Sequence, residues 1–89
     1  MAHALVMQVN LSAHDPETAT KMLNEIVVPA AKAQDGFQRA AFMHDGPNGL
    51  GIVFFDTAEH AKAAGETLGP PPGGPVLVSS NIYEVTVEA

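Results

Sequence analysis

Apolar positions alternate with the rest at the start of the chain. From His3 to Leu11, one face carries Leu5, Met7, Val9 and Leu11 and the other Ala4, Val6, Gln8 and Asn10. A period of two with one wholly apolar face predicts a strand. The period then lengthens. Ala19, Met22, Leu23, Ile26, Val27 and Ala30 recur at helical spacing, behind the start signal Asp15-Pro16-Glu17: a cap, a first-turn proline and an acid at the positive end of the dipole. Pro29 lies inside this run and predicts a kink or the end of its regular part. Asp35-Gly36 closes it.

Phe37 to His44 predicts a second strand and Leu50 to Phe55 a third, apolar on both faces as in a central strand. Asp45-Gly46-Pro47-Asn48-Gly49 between them is turn chemistry, so the pair makes a hairpin. Asp56-Thr57-Ala58-Glu59 fits a capping box, and Ala61, Ala64 and Leu68 form the stripe of a short second helix. A stiff connection, Gly69 to Pro75, leads to a last strand, Val76 to Val87, with a break or bulge expected near Ser79-Ser80-Asn81.

The order β-α-β-β-α-β is the split βαβ pattern, giving an α+β, ferredoxin-like fold over residues 1–89 as one domain. Right-handed crossovers place both helices on one face of a four-stranded antiparallel sheet. The other face is left bare, with Val6, Phe42 or Met43, and one row of the third strand on it. An apolar face of this kind marks an interface, so a homodimer packed sheet against sheet is expected.

Composition narrows the chemistry. The 89 residues include no cysteine and no tryptophan, which removes disulfides, thiolate metal sites and thiol nucleophiles. Ten acidic residues against four basic give a net charge of −6, which argues against nucleic acid as a partner. There is no cationic n-region and no apolar run long enough to span a bilayer, so no membrane partner and a cytoplasmic location are expected. His3, His14, His44 and His60 lack the spacing of a metal motif, and Gly49-Leu50-Gly51 lacks the third glycine of a dinucleotide loop. Neither a metal nor a cofactor is expected.

The chain resembles the dimeric α+β barrel superfamily, and within it the antibiotic-biosynthesis-monooxygenase-like domains. The resemblance rests on the element order, on Asp35-Gly36-Phe37 at the entry to the second strand, on Gly51-Ile52-Val53-Phe54-Phe55-Asp56-Thr57-Ala58-Glu59-His60-Ala61, and on the closing Ile82-Tyr83-Glu84-Val85-Thr86-Val87-Glu88. It implies a dimeric α+β barrel, and an activity among cofactor-free monooxygenases of polyketide quinol precursors, haem degraders and isomerases. It also implies Asn10 as the counterpart of the haem degraders' strand-one Asn, while no tryptophan is present to match their Trp.

Six residues are site candidates. Gln8 and Asn10 share the mixed face of the first strand with space for a ligand or an interface partner, and Phe42 joins them as an apolar contact. His44, next to Asp45, suits a general base, or is a solvated hairpin residue. Arg39, the only arginine, suits a carboxylate or phenolate, or pairs with surplus surface acid. Tyr83 offers a hydroxyl, or packs with its tip at the surface. Three functions stay open: a dimer holding a small apolar or aromatic molecule in the cleft between its sheets, a cofactor-free monooxygenase or isomerase using Asn10, His44, Arg39 and Tyr83, and a purely structural dimer.

Overall fold

The computed structural model describes residues 2–71 and 73–89. Strands β1 (His3–Asn10), β2 (Phe37–Asp45), β3 (Asn48–Phe55) and β4 (Val76–Glu84) form one sheet in the order β2-β3-β1-β4, with every neighbour antiparallel. The helical segments are α1 (Pro16–Met22), a π-helical stretch (Leu23–Val27), α2 (Val28–Lys32) and α3 (Ala58–Thr67). This is the ferredoxin-like α+β arrangement that the element order predicts. Pro72, in the expected stiff connection, lies outside the described residues.

The core lies between the sheet and the helices. Leu5, Met7, Val53 and Phe55 from the central strands meet Ala31 of α2, Ala61 and Ala64 of α3, and Leu68. Small residues on the helices let the backbones approach, so the large side chains come from the strands and from Leu68 at the end of α3. The alternate residues of β1 and β3 point to the other, open face. There Ala4, Val6, Gln8 and Asn10 stand opposite Phe54, Ile52, Leu50 and Asn48.

Local chemistry sets the element boundaries. Asp15 caps α1, accepting from the Thr18 N–H at 2.7 Å, with Pro16 in the first turn, as the start signal predicts. Pro29 does not simply kink the helix. It has no N–H to give the Glu25 carbonyl, and the turn before it slips into π geometry, where the Val28 N–H bonds the Leu23 carbonyl five residues back. At α3 the cap is Thr57 rather than Asp56. The Thr57 hydroxyl oxygen accepts from the His60 N–H at 3.1 Å, while the Asp56 carboxylate turns to the His60 ring. The break in β4 falls at Val78, just before the expected site, because Gln8 pairs with Ser79 and Val9 with Leu77. A second irregularity, at Gln38 of β2, changes which residues face the core. Phe37 and Phe42 are five apart and would oppose each other in a regular strand, yet both pack on the core.

The His60 Nδ1 to Asp56 Oδ1 pair, 2.6 Å apart, ties the start of α3 to the end of β3. Gly36 (φ +78°) sits beneath it, where a Cβ would collide with both side chains. The hydrogen bond to Asp56 raises the His60 pKa, and the bond to His60 lowers that of Asp56. A raised His contributes stability that is complete below its unfolded value, about 6.5, and is lost as pH rises through the folded value. A lowered Asp contributes stability that is present above its unfolded value, about 3.9, and is lost as pH falls through the folded value. The pair therefore supports the fold most between about pH 4 and pH 6.5. Thermal melts of His60→Gln against the parent protein are expected to show a larger deficit at about pH 5.5 than at about pH 8.5. An equal deficit at both would show that the pair does not couple to folding.

Candidate functional site

β3 carries Gly49 and Gly51 two residues apart, so both lie on its helix-covered face. With no side chains there, the floor of the sheet is lowered at that end. The Phe42 ring covers Gly51, with ring carbons 3.0 Å from where a Cβ would sit, and Val9 leans over Gly49. The first helix passes above at a distance, and a cavity of about 350 Å³ remains between them. Met7, Val9 and Phe42 line the sheet side, and Leu23, Val27 and Val28 line the helix side. The π stretch supplies Leu23, Asn24 and Val27 of the helical wall, beside Pro16, Ala19, Thr20 and Met22 of α1, and π turns recur at functional sites. Pro70 and Pro71, after α3, close part of the rim.

The polar groups in this lining are few: His14, Asp15, Thr20, Asn24 and His44. Two are committed locally. Asp15 caps the helix, and the Thr20 hydroxyl donates to the Pro16 carbonyl at 2.8 Å. The His14 N–H donates to the Leu11 carbonyl at 3.0 Å, which fixes the loop that carries its ring. His44 stands opposite Gly49 in the hairpin, so its ring projects on the same side as the cavity. The arrangement offers an apolar slot with imidazole and amide groups at its margins, able to accept from or donate to one polar group of a bound molecule.

The sequence candidates divide between the two faces. Phe42 and His44 line the cavity. Gln8, Asn10, Arg39 and Tyr83 are on the open face, opposite Leu50, Asn48, Phe54 and Ala4 respectively. Phe42 therefore does not share a site with Gln8 and Asn10, because the irregularity at Gln38 turns it to the helix side, and Met43 takes the open-face position. Asn10 accepts from the Ser12 N–H at 2.8 Å, holding the chain as it leaves β1. Arg39 lies 4.1 Å over the Phe54 ring and 3.3 Å from Glu88, both charged partners well exposed. Tyr83 is 54% exposed. Of the four catalytic candidates, Asn10, His44, Arg39 and Tyr83, His44 alone lines the cavity. His14, Asn24 and the glycine floor escaped the sequence reading. The Gly-Leu-Gly spacing inside a strand was the available signal, since it empties one face of side chains.

Among the described residues, no three His, Asp or Glu side chains are grouped to hold a metal ion, and no helix is long and apolar enough to cross a membrane.

Solved structures of the antibiotic-biosynthesis-monooxygenase type share this fold over nearly the whole chain. SnoaB, a cofactor-independent oxygenase from Streptomyces nogalater, solved as a mutant, superposes with a TM-score of 0.70 at 10% identity, covering 98% of this chain and 95% of its own. A protein of Chloroflexus aurantiacus J-10-fl assigned to the antibiotic biosynthesis monooxygenases gives 0.65 at 14% identity, covering 100% and 98%. Rv0793 from Mycobacterium tuberculosis gives 0.60 at 13%, covering 100% and 99%. No family model and no curated protein matches the sequence. At these identities the likeness is one of fold, and the chain shares the fold of these proteins.

Proposed function

We propose that this protein, with residues 1–89 acting as one domain, is a homodimer whose protomers each hold a small apolar or aromatic molecule. The observation that carries the ligand reading is the cavity above Gly49 and Gly51. Its volume of about 350 Å³ and mainly apolar lining match the range of small-molecule sites. On this reading the ligand sits under the helix rather than between the sheets. The dimer reading rests on the open face, where Val6, Leu50, Ile52 and Phe54 are half-buried and Met43 and Tyr83 are exposed. In such a dimer Gln8 and Asn10 are polar anchors of the interface, and Arg39 and Tyr83 lie nearer its margins.

The test fills the cavity. Val27→Phe adds a ring to the helical wall without adding charge. Titration calorimetry with naphthalenemethanol, a two-ring neutral probe, is expected to show binding to the parent protein and affinity at least about tenfold weaker in the variant. Equal affinity in the two would place the probe elsewhere.

A second reading, a cofactor-free monooxygenase or isomerase acting on an aromatic or polyketide-like substrate, is favoured by His44 in the lining and by the fold shared with SnoaB. An imidazole at that position can take a proton from a bound hydroxyl. Oxygen uptake in the presence of a naphthol, lost in His44→Ala, distinguishes an oxygenase from binding alone.

A further inference from the structure

The charge around the cavity is one-sided. Among the described residues that line it there is no Lys or Arg. The single arginine lies on the opposite face of the sheet, against Phe54 and Glu88. Lys21, Lys32 and Lys62 are all exposed and outside the lining. Among the described residues, the acidic side chain in the lining is that of Asp15, at the helix start and exposed to solvent. The whole chain adds to this, with ten acids against four bases.

An anion entering the slot would lose water, meet Asp15, and find no permanent cation. A buried charge without a partner is strongly disfavoured, whereas a hydroxyl or carbonyl needs only one hydrogen-bonding group. Asn24, His14 and His44 can supply that group to a neutral ligand. The helix N-terminus, which would otherwise attract an anion, is already taken by Asp15, whose carboxylate accepts the Thr18 N–H.

We infer that the cavity selects neutral ligands, an uncharged apolar molecule bearing an alcohol, ester or carbonyl group, and rejects the corresponding carboxylic acids, with Asp15 as a specificity-determining residue. This rests on the ligand-cavity reading above.

Two probes of one shape separate the possibilities: naphthalenemethanol and naphthoate, titrated calorimetrically into the protein at about pH 8, where naphthoate is ionised. The alcohol is expected to bind at least about tenfold more tightly than the acid. Asp15→Asn keeps a good helix cap and is expected to narrow the gap by strengthening naphthoate binding relative to the alcohol. Equal binding of the two probes, or tighter binding of naphthoate, overturns the inference and leaves the ligand cavity standing. A gap unchanged in Asp15→Asn overturns the role given to Asp15. Binding of neither probe overturns the ligand-cavity reading, and this inference with it.

Discussion

Phe55→Ala is expected to destabilise the protein by about 3–5 kcal/mol. Phe55 is fully buried and is the largest of the completely enclosed side chains. It stands at the end of β3 where the sheet meets α3, and its neighbours in the core include Ala61 and Ala64. Alanines cannot swing in to fill the space that a lost ring leaves, so the cavity term adds to the lost burial. Stability of about 0.05–0.15 kcal/mol per residue puts a chain of this length at about 4–13 kcal/mol, so one substitution removes a large share. Urea unfolding followed by far-ultraviolet circular dichroism checks it. Both proteins are compared at one concentration, since association shifts the midpoint. A loss under about 1 kcal/mol would mean that the core is not organised around this ring.

Ile52→Asp is expected to convert a dimer into monomers. Ile52 is central on the open face, flanked by Val6 on β1 and Ala41 on β2. An interface about a two-fold axis receives the change twice. Each carboxylate buried without a partner costs several kcal/mol, so the dissociation constant is expected to rise at least about a thousandfold. Light scattering after size exclusion at micromolar concentration should give twice the 9.3 kDa chain mass for the parent protein and the chain mass for the variant. Unchanged circular dichroism confirms that the variant is folded. A monomeric parent protein, or a dimeric variant, would refute the sheet-to-sheet dimer.

Much of the fold was legible because local signals agreed with the global arrangement. The alternation in β1, the Asp15-Pro16 start and the Gly46-Pro47 turn each act within a few residues, and the helices and hairpin follow from them. The faces of β2 were not legible in the same way. Ala40, Ala41, Phe42 and Met43 are consecutive apolar residues, so either parity gives an acceptable pattern. The irregularity at Gln38 then decides the parity through pairing with β3, which is not local. The cap of α3 was misread because Asp56 and Thr57 are both good caps, and the preference of Asp56 for the His60 ring depends on side-chain geometry. The cavity was hidden for a third reason. It arises from what is missing on β3 and from a slipped turn in the helix, and neither leaves a hydrophobic period. Pro29 indicated a disturbance but not its form.

The placement of bulk along β3 separates two jobs within one strand. Val53 and Phe55 anchor the fold at one end, while at the other Gly49 and Gly51 let Val9 and Phe42 settle onto the strand at the floor of the cavity. Residues that choose a ligand can therefore change without disturbing those that hold the chain folded. A scaffold built this way can drift far in its binding chemistry and still return to the same backbone. That is consistent with full-length superposition on proteins that share only 10–14% of their residues with it.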